Sequence, residues 1–260
     1  MAAAPESPPT TPLPTPCLGA VHERRLRALW RSAGWPCHDV VEAELLLAGA
    51  LQRAHDEAGR ETLRLTDAGL ALIAAAVQRN RRARDRHEAL VGRVAREMQR
   101  NGRVVWRGLS LRAPPQVEVE PKAGDGPARA GAWAMAMPDV FSIRHTTVED
   151  YVEPVVHEIK VRRADLLSDL RKAPKREAYR AIASQCWYVL QAGIGSADEI
   201  PPDYGVMLAH GEAEAADLEV LRQAPKRAMR LPFITWMALA RATAEPPLDD
   251  DAQPDLGPAI

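Results

Sequence analysis

Two short apolar runs, residues 138–143 and 155–161, constrain this chain more than any other feature of its sequence. Each run is rich in β-branched residues and is bounded by turn residues, so each predicts a strand. Side chains alternate across a strand, and Glu158 and Lys160 should therefore point to one face of the second run. If the two strands pair, Asp139 at the start of the first can approach Glu158. The sequence thus predicts two carboxylates and an ammonium at one place.

This combination of groups suits chemistry on phosphate esters. Carboxylate oxygens hold Mg²⁺, which keeps some of its waters and can bridge to a phosphate. Such a metal polarises a phosphoryl group and lowers the pKa of a bound water. A lysine beside it can orient that water or offset charge that develops in the transition state.

The order of the residues around these strands resembles a known family. Pro138-Asp139 and Glu158-x-Lys160 form a Pro-Asp…Glu-x-Lys pattern, and further elements follow it in the expected order. These elements are Asp165, Asp169 with Lys172, Glu177-Ala178-Tyr179, Cys186-Trp187-Tyr188, Ile200-Pro201, Gly205 and Ala240-Arg241. Over about residues 84–243 the chain resembles the PD-(D/E)XK nuclease superfamily, and more narrowly its MmcB-like DNA-repair proteins. One departure is the run at residues 172–175, which stands where that family commonly has an aromatic residue after the lysine.

The resemblance implies an α/β (α+β) fold with a restriction-endonuclease-like core, in which helices flank a central mixed sheet. It also implies phosphodiester hydrolysis with Mg²⁺ or Mn²⁺, by Asp139, Glu158 and Lys160. The metal would be held by Asp139 and Glu158, by the backbone carbonyl of Ile159, and by Glu88 on the first core helix. A glutamate at such a position is more often an ordinary exposed residue than a metal ligand. Three further residues would shape the site rather than bind the metal: Asp165, Asp169 and Tyr179.

Basic side chains cluster near the predicted site and in an arginine-rich stretch at residues 78–86. Charges of this kind usually solvate a surface, but beside a nuclease-like site they favour contact with phosphate. The residues expected to bind nucleic acid are Arg82, Arg84, Arg162, Arg163, Lys172, Lys175 and Arg176. The expected partner is DNA, single- or double-stranded, with weak sequence preference because phosphate contacts carry no base information.

The domain organisation follows from composition. Residues 1–19 and 245–260 are proline-rich tails, the second of them acidic, and both are expected to be disordered. Residues 20–80 show two helices, a hairpin and a capped helix start, which resemble part of a winged-helix domain. The acidic side chains at positions 39, 42 and 44 would repel phosphate, which favours a contact with protein over DNA reading. Residues 81–244 form the nuclease-like domain.

The remaining elements are predicted from periodicity and from turn residues. Helices are expected at 21–33, 39–48, 70–78, 87–100, 164–184 with a break at Pro174, and 232–242. Strands are expected at 51–54, 62–65, 103–111, 138–143, 155–161, 186–190, 205–209 and 217–221, with a short one at 117–119 in an otherwise irregular stretch. His87 should lie on the apolar face of its helix as a core histidine.

Composition bounds the class of protein without choosing the function. The chain has 260 residues, a formal net charge of −1 and 46% hydrophobic residues, so a globular core is expected and bulk charge does not indicate nucleic-acid binding. Three cysteines without a CxxC pair, and the lack of a long apolar run, favour a cytoplasmic protein without a membrane contact.

A non-catalytic binding module that uses a degenerate nuclease fold is the alternative to an enzyme, and a transcription regulator is a third possibility. The sequence leaves open whether the chain forms a homodimer.

Overall fold

The computed structural model describes residues 16–114 and 133–248. The expected strand at 117–119 and most of both expected tails lie outside these residues. The chain divides into two compact units, Met1–Arg82 and Ala83–Ile260. Within the described residues the architecture is mixed α/β, with six α-helices, a six-stranded mixed sheet and two small two-stranded sheets.

The first unit contains two helices and a hairpin before a long helix. Its elements are α1 (Ala20–Trp30), α2 (Val40–Leu47), β1 (Leu51–His55), β2 (Glu61–Leu65) and the first part of α3 (Asp67–Arg100). Local sequence signals account for their ends: the Asp39 side chain accepts a hydrogen bond from the backbone N–H of Glu42, and Thr66 accepts one from that of Gly69. Gly59, with a φ of +77°, turns the antiparallel hairpin. Leu26, Leu45 and Leu63 lie in a small core.

The acidic side chains of α2 and of its cap have partners inside this unit. Asp39 pairs with Arg25 at 2.5 Å, and Glu44 lies 2.6 Å from His22. Glu42 is buried and accepts hydrogen bonds from the backbone N–H groups of Cys37 and His38. These carboxylates therefore serve local structure.

The two helices predicted at 70–78 and 87–100 are one. Helix α3 runs without interruption through residues 79–86, which lay between the two predicted helices. Arginine and alanine are strong helix formers, and no glycine or proline interrupts residues 70–91, so propensity carries the helix through. Arg82 and Arg84 are exposed on it.

The second unit is built on the six-stranded sheet, with strand order β10-β9-β8-β7-β6-β3. Strands β7, β8 and β9 are parallel, and the outer pairs are antiparallel. The sheet strands are β3 (Arg103–Arg107), β6 (Val140–Arg144), β7 (Val155–Lys160), β8 (Gln185–Gln191), β9 (Gly205–His210) and β10 (Asp217–Arg222). The remaining elements are β4 (Leu111–Ala113) and β5 (Ala134–Ala136), which pair with each other, and α4 (Arg163–Leu170), α5 (Ala173–Ile182) and α6 (Phe233–Arg241).

Two apolar clusters lie on opposite faces of this sheet, as the alternation of the strands requires. Val155 and Ile159 of β7 join one cluster with Val94 and other residues of α3. Val156 of β7 joins the other, with Ile182 of α5 and side chains from β4, β5 and α6. Glu158 and Lys160 share the face of Val156, so they project toward the side of the sheet on which α5 packs.

Two predicted boundaries were wrong for identifiable reasons. The strand expected at 103–111 ends at Arg107, because Gly108 has a φ of +63° and turns the chain before β4. Glu245, assigned to the disordered tail, donates its backbone N–H to Val105 and pairs with Arg107 at 2.7 Å. The break expected at Pro174 in the helix at 164–184 is confirmed, since α4 ends at Leu170 and α5 begins at Ala173, and Pro174 lies in the first turn of α5, where the missing N–H is tolerated.

In the part of the chain that the structure describes, none of the helices combines the length and the apolar character needed to cross a membrane.

Candidate active site

The pairing of β6 with β7 brings the three residues of the predicted site together. Val140 pairs with His157 in antiparallel register, so Asp139, one residue earlier, comes level with Glu158. The Asp139 carboxylate accepts a hydrogen bond of 2.7 Å from the backbone N–H of Ile159. Asp139 is thus fixed against the backbone of β7, at the point where β6 begins.

Glu158 is buried, with 4% of its side chain exposed, and both of its carboxylate oxygens have partners. Oε1 contacts the ammonium groups of Lys160 and Lys175, the second at 2.5 Å. Oε2 accepts a hydrogen bond of 2.7 Å from the hydroxyl of Tyr179. Tyr179 also lies 2.8 Å from the carbonyl oxygen of Met137, which it can reach as an alternative acceptor. This tyrosine therefore links Glu158 to the chain just before Asp139.

A second buried carboxylate, that of Asp169 at the end of α4, lies beside Glu158. Its Oδ1 is 2.6 Å from the ammonium of Lys175 and 3.8 Å from that of Lys160. Its Oδ2 accepts a hydrogen bond of 2.7 Å from Tyr188. Tyr188 is the β8 residue that pairs with Glu158 in register, which places both side chains on one face. We call Glu158, Asp169, Lys160 and Lys175 the acid–lysine cluster.

The acid–lysine cluster balances two carboxylates with two ammonium groups. Burial alone would raise the pKa of Asp169, but Lys160, Lys175 and the Tyr188 hydroxyl outweigh it and hold that pKa below its usual value. Burial alone would lower the pKa of Lys175, but Glu158 and Asp169 raise it above its usual value. Burial also raises the pKa of both tyrosines, so Tyr179 and Tyr188 act as neutral donors. The formal charges of the two carboxylates and the two lysines in the cluster sum to zero.

His87 was expected to lie in the protein core, on the apolar face of its helix, but its side chain is 28% exposed and lies at the edge of the site. Its Nε2 is 3.4 Å from Asp139, and its Nδ1 is 3.3 Å from Glu88. The contact with Asp139 raises the pKa of His87, with a further contribution from Glu88. Glu88 is 65% exposed and reaches Asp139 only through this imidazole ring. The structure therefore places Glu88 in a second layer around Asp139.

The predicted nucleic-acid-binding residues differ in their exposure and in their contacts. Arg163 is exposed and pairs with Glu199 at 2.5 Å, Arg176 donates to the carbonyl of Leu170, and Lys175 lies in the acid–lysine cluster. Arg82, Arg84 and Lys172 are exposed, whereas Arg162 is partly exposed and also interacts with other residues of the chain.

Of the three predicted site-shaping residues, Asp169 and Tyr179 lie in the site, whereas Asp165 is exposed in the first turn of α4. Sequence reasoning missed His87, Tyr188 and the position of Lys175. Only Tyr188 had a usable signal, since the alternation of the strand predicted at 186–190 fixes which face of the sheet its side chain shares with its neighbours in the strand. The place of Lys175 depends on where α5 begins, and no sequence pattern showed that α5 would turn this lysine toward Glu158.

Within the described residues, no group of three or more His, Cys, Asp and Glu side chains has the arrangement of a metal site. Mg²⁺ commonly takes one or two carboxylates and completes its shell with water and phosphate, so the carboxylates of Asp139 and Glu158 are the ligands that this chain would offer to such an ion. The Asp139 side chain is 21% exposed, so solvent reaches it.

Comparisons of the chain with models of protein families, with curated proteins and with solved structures gave no significant match.

Proposed function

We propose that the chain is a Mg²⁺- or Mn²⁺-dependent nuclease that hydrolyses phosphodiester bonds in DNA. The observation that carries the proposal is the position of Asp139, level with Glu158 and bonded to the backbone of Ile159, with Lys160 on the same face. Two carboxylates and an amine at the start of one strand and the end of the next form the combination that such chemistry requires. The mixed sheet with helices on both faces is compatible with a restriction-endonuclease-like core, which we retain as part of the proposal.

Each residue has a defined role in this proposal. Asp139 and Glu158 would hold the metal, with the carbonyl of Ile159 as a further oxygen, and the bound ion would polarise the phosphoryl group. Lys160 would position the attacking water and offset negative charge on the phosphate. Tyr179 fixes the rotamer of Glu158 by its hydrogen bond to Oε2. Glu88 would act through His87, by holding the imidazole against Asp139, rather than as a ligand.

The surface arginines and lysines fit a partner that carries phosphate. Arg84 and Lys172 belong to the second unit and present cationic groups to solvent, where they would follow a DNA backbone without reading bases, and the partly exposed Arg162 would join them. We also propose that the protein acts in DNA repair or related DNA metabolism and is located in the cytoplasm. Residues 20–80, whose order of elements resembles a winged helix, would bind a protein partner, and the chain would form a homodimer.

The second candidate function is a non-catalytic binding module. The observation that favours it is the neutral acid–lysine cluster, in which both oxygens of Glu158 have partners from the chain itself. In a nuclease-like fold that no longer binds a metal, side chains of the chain itself would neutralise the buried carboxylates, as Lys160, Lys175 and Tyr179 do for Glu158.

The test is cleavage of labelled single- and double-stranded DNA by the purified protein with Mg²⁺ or Mn²⁺. We expect cleavage that depends on the metal, and a loss of at least about 100-fold in Asp139→Asn and in Lys160→Met, because each removes a group that would act at the phosphate. Asp165→Asn and Arg171→Gln each remove one charge from an exposed position nearby and should retain most of the activity. Binding of DNA without cleavage under any metal condition would favour the second candidate. Cleavage that survives both Asp139→Asn and Lys160→Met would point to a contaminant.

A further inference from the structure

Lys175 occupies the position from which a cation would approach the carboxylate of Glu158. Its Nζ lies 2.5 Å from Glu158 and 2.6 Å from Asp169, so one positive charge is shared by two carboxylates. The side chains of these carboxylates are only 4% and 6% exposed, whereas 26% of the Lys175 side chain is exposed. Lys175 is therefore the outermost of the four charged groups and lies on the solvent side of the cluster.

Lys160 and Lys175 differ in how firmly the fold holds them. Lys160 is the last residue of the central strand β7, and its side chain is 11% exposed. Lys175 reaches the cluster from the first turn of α5, on a long flexible side chain whose outer part meets water. An incoming divalent cation would compete with both ammonium groups for Oε1 of Glu158. Lys175 is the one that can leave without a change in the sheet.

We propose that Lys175 is a displaceable counter-ion, which neutralises Glu158 and Asp169 when no metal is bound and moves away from Glu158 when a divalent cation binds to Glu158 and Asp139. This inference rests on the proposed function and adds a residue that sets metal affinity. Two buried carboxylates with a single lysine would repel each other, so the free protein needs this second ammonium. Once released, Lys175 remains tethered at the rim of the site, where a phosphate would be its natural partner.

The test is the affinity for Mn²⁺, measured by electron paramagnetic resonance in the absence of DNA, together with thermal unfolding. Lys175→Met keeps the length of the side chain and removes its charge. We expect it to bind Mn²⁺ at least about tenfold more tightly than the wild type, because the competing charge is gone. We also expect its Tm without metal to fall by at least about 5 °C, and Mn²⁺ to raise that Tm by more than it raises the Tm of the wild type.

Lys172→Met is the matched control, since Lys172 is an exposed lysine three residues away, and it should change neither the affinity nor the Tm. If Lys175→Met does not fold, Lys175→Gln removes the same charge and retains a hydrogen-bond donor, with the same expected rise in affinity. Equal Mn²⁺ affinity in the wild type and in the folded Lys175 variant would overturn the counter-ion role alone. Failure of the wild type and of all variants to bind Mn²⁺ would overturn the proposed nuclease function as well.

Discussion

Glu158 shows how a buried charge can be stabilised without being inert. Desolvating a carboxylate costs several kcal/mol per ion, and only well-placed hydrogen bonds and opposite charges offset that cost. Glu158 has two ammonium groups on one oxygen and a phenol on the other, so the cost is met by side chains from β7 and α5. These partners differ in exposure, and the more exposed lysine is the one that a competing cation could displace.

His157, the residue before Glu158, faces the opposite side of the sheet and has a different energetic role. It is buried and stacks on Trp187, with ring centroids 6.3 Å apart, and its Nδ1 has no hydrogen-bond partner among the described residues. Burial, with a smaller contribution from Arg103, lowers the pKa of His157 to about 3. The folded protein therefore keeps this imidazole neutral over a range in which the unfolded chain is protonated.

From this pKa we predict a specific loss of stability at mildly acidic pH. Below a pH of about 6.5 the unfolded chain binds a proton at His157 that the folded chain does not bind, so stability falls as the pH falls toward about 3. Between about pH 7 and pH 5 the loss from this residue should be about 2 kcal/mol. Urea unfolding should show that His157→Leu removes this part of the pH dependence.

His145 is exposed and provides the control. His145→Gln should leave the pH dependence of the unfolding free energy as it is in the wild type. If His157→Leu and the wild type lost equal stability between these pH values, the buried imidazole would have to be protonated in the folded state.

At the scale of the elements, the parallel pairing of β7, β8 and β9 sets the site in place. The register of β7 with β8 puts Tyr188 beside Glu158, and the register of β8 with β9 puts Gly205 opposite Trp187. A Cβ atom on Gly205 would come within 2.3 Å of the Trp187 ring. Glycine at this position therefore leaves the space that the Trp187 ring occupies.

This close approach predicts a large effect of one methyl group. Gly205→Ala should destabilise the protein by about 1–3 kcal/mol, because a ring within a packed sheet cannot move aside cheaply. Urea unfolding measures the change. Gly92→Ala is the control: it lies within α3, where the nearest atom to an added Cβ is 3.7 Å away, and alanine there should be neutral or stabilising by up to about 1 kcal/mol. Equal effects of the two substitutions would mean that the Trp187 ring does not restrict β9.

Much at this scale could be predicted from the sequence, because the signals were local. Alternation placed Glu158 and Lys160 on one face, and Asp39, Thr66 and Gly59 marked a helix cap, a helix start and a turn. Prediction failed at residues 79–86, where helix propensity outweighed the break in the apolar periodicity. The charged residues at 79–86 interrupt the apolar periodicity, so two helices were predicted on either side of them, but their helix propensity continues α3 through this stretch.

On the scale of the whole molecule, the chain consists of a small unit of helices and a hairpin and a larger unit built on the mixed sheet. The site lies entirely within the larger unit. The alternation of the predicted strands placed Glu158 and Lys160 on one face, and the pairing of β6 with β7 brings Asp139 level with Glu158. The sequence could not predict that Lys175 would enter the site or that His87 would touch Asp139, because both contacts depend on how helices pack against the sheet.

The most direct measurement is a crystal structure of the protein grown with Mn²⁺, with an anomalous difference map at the manganese edge. We predict a peak about 2.1–2.3 Å from carboxylate oxygens of both Asp139 and Glu158, with the ammonium of Lys175 moved away from Glu158. Saturating Mn²⁺ with no peak between these two carboxylates, and with Lys175 still on Glu158 and Asp169, would contradict the metal-dependent mechanism and leave the binding module as the better description.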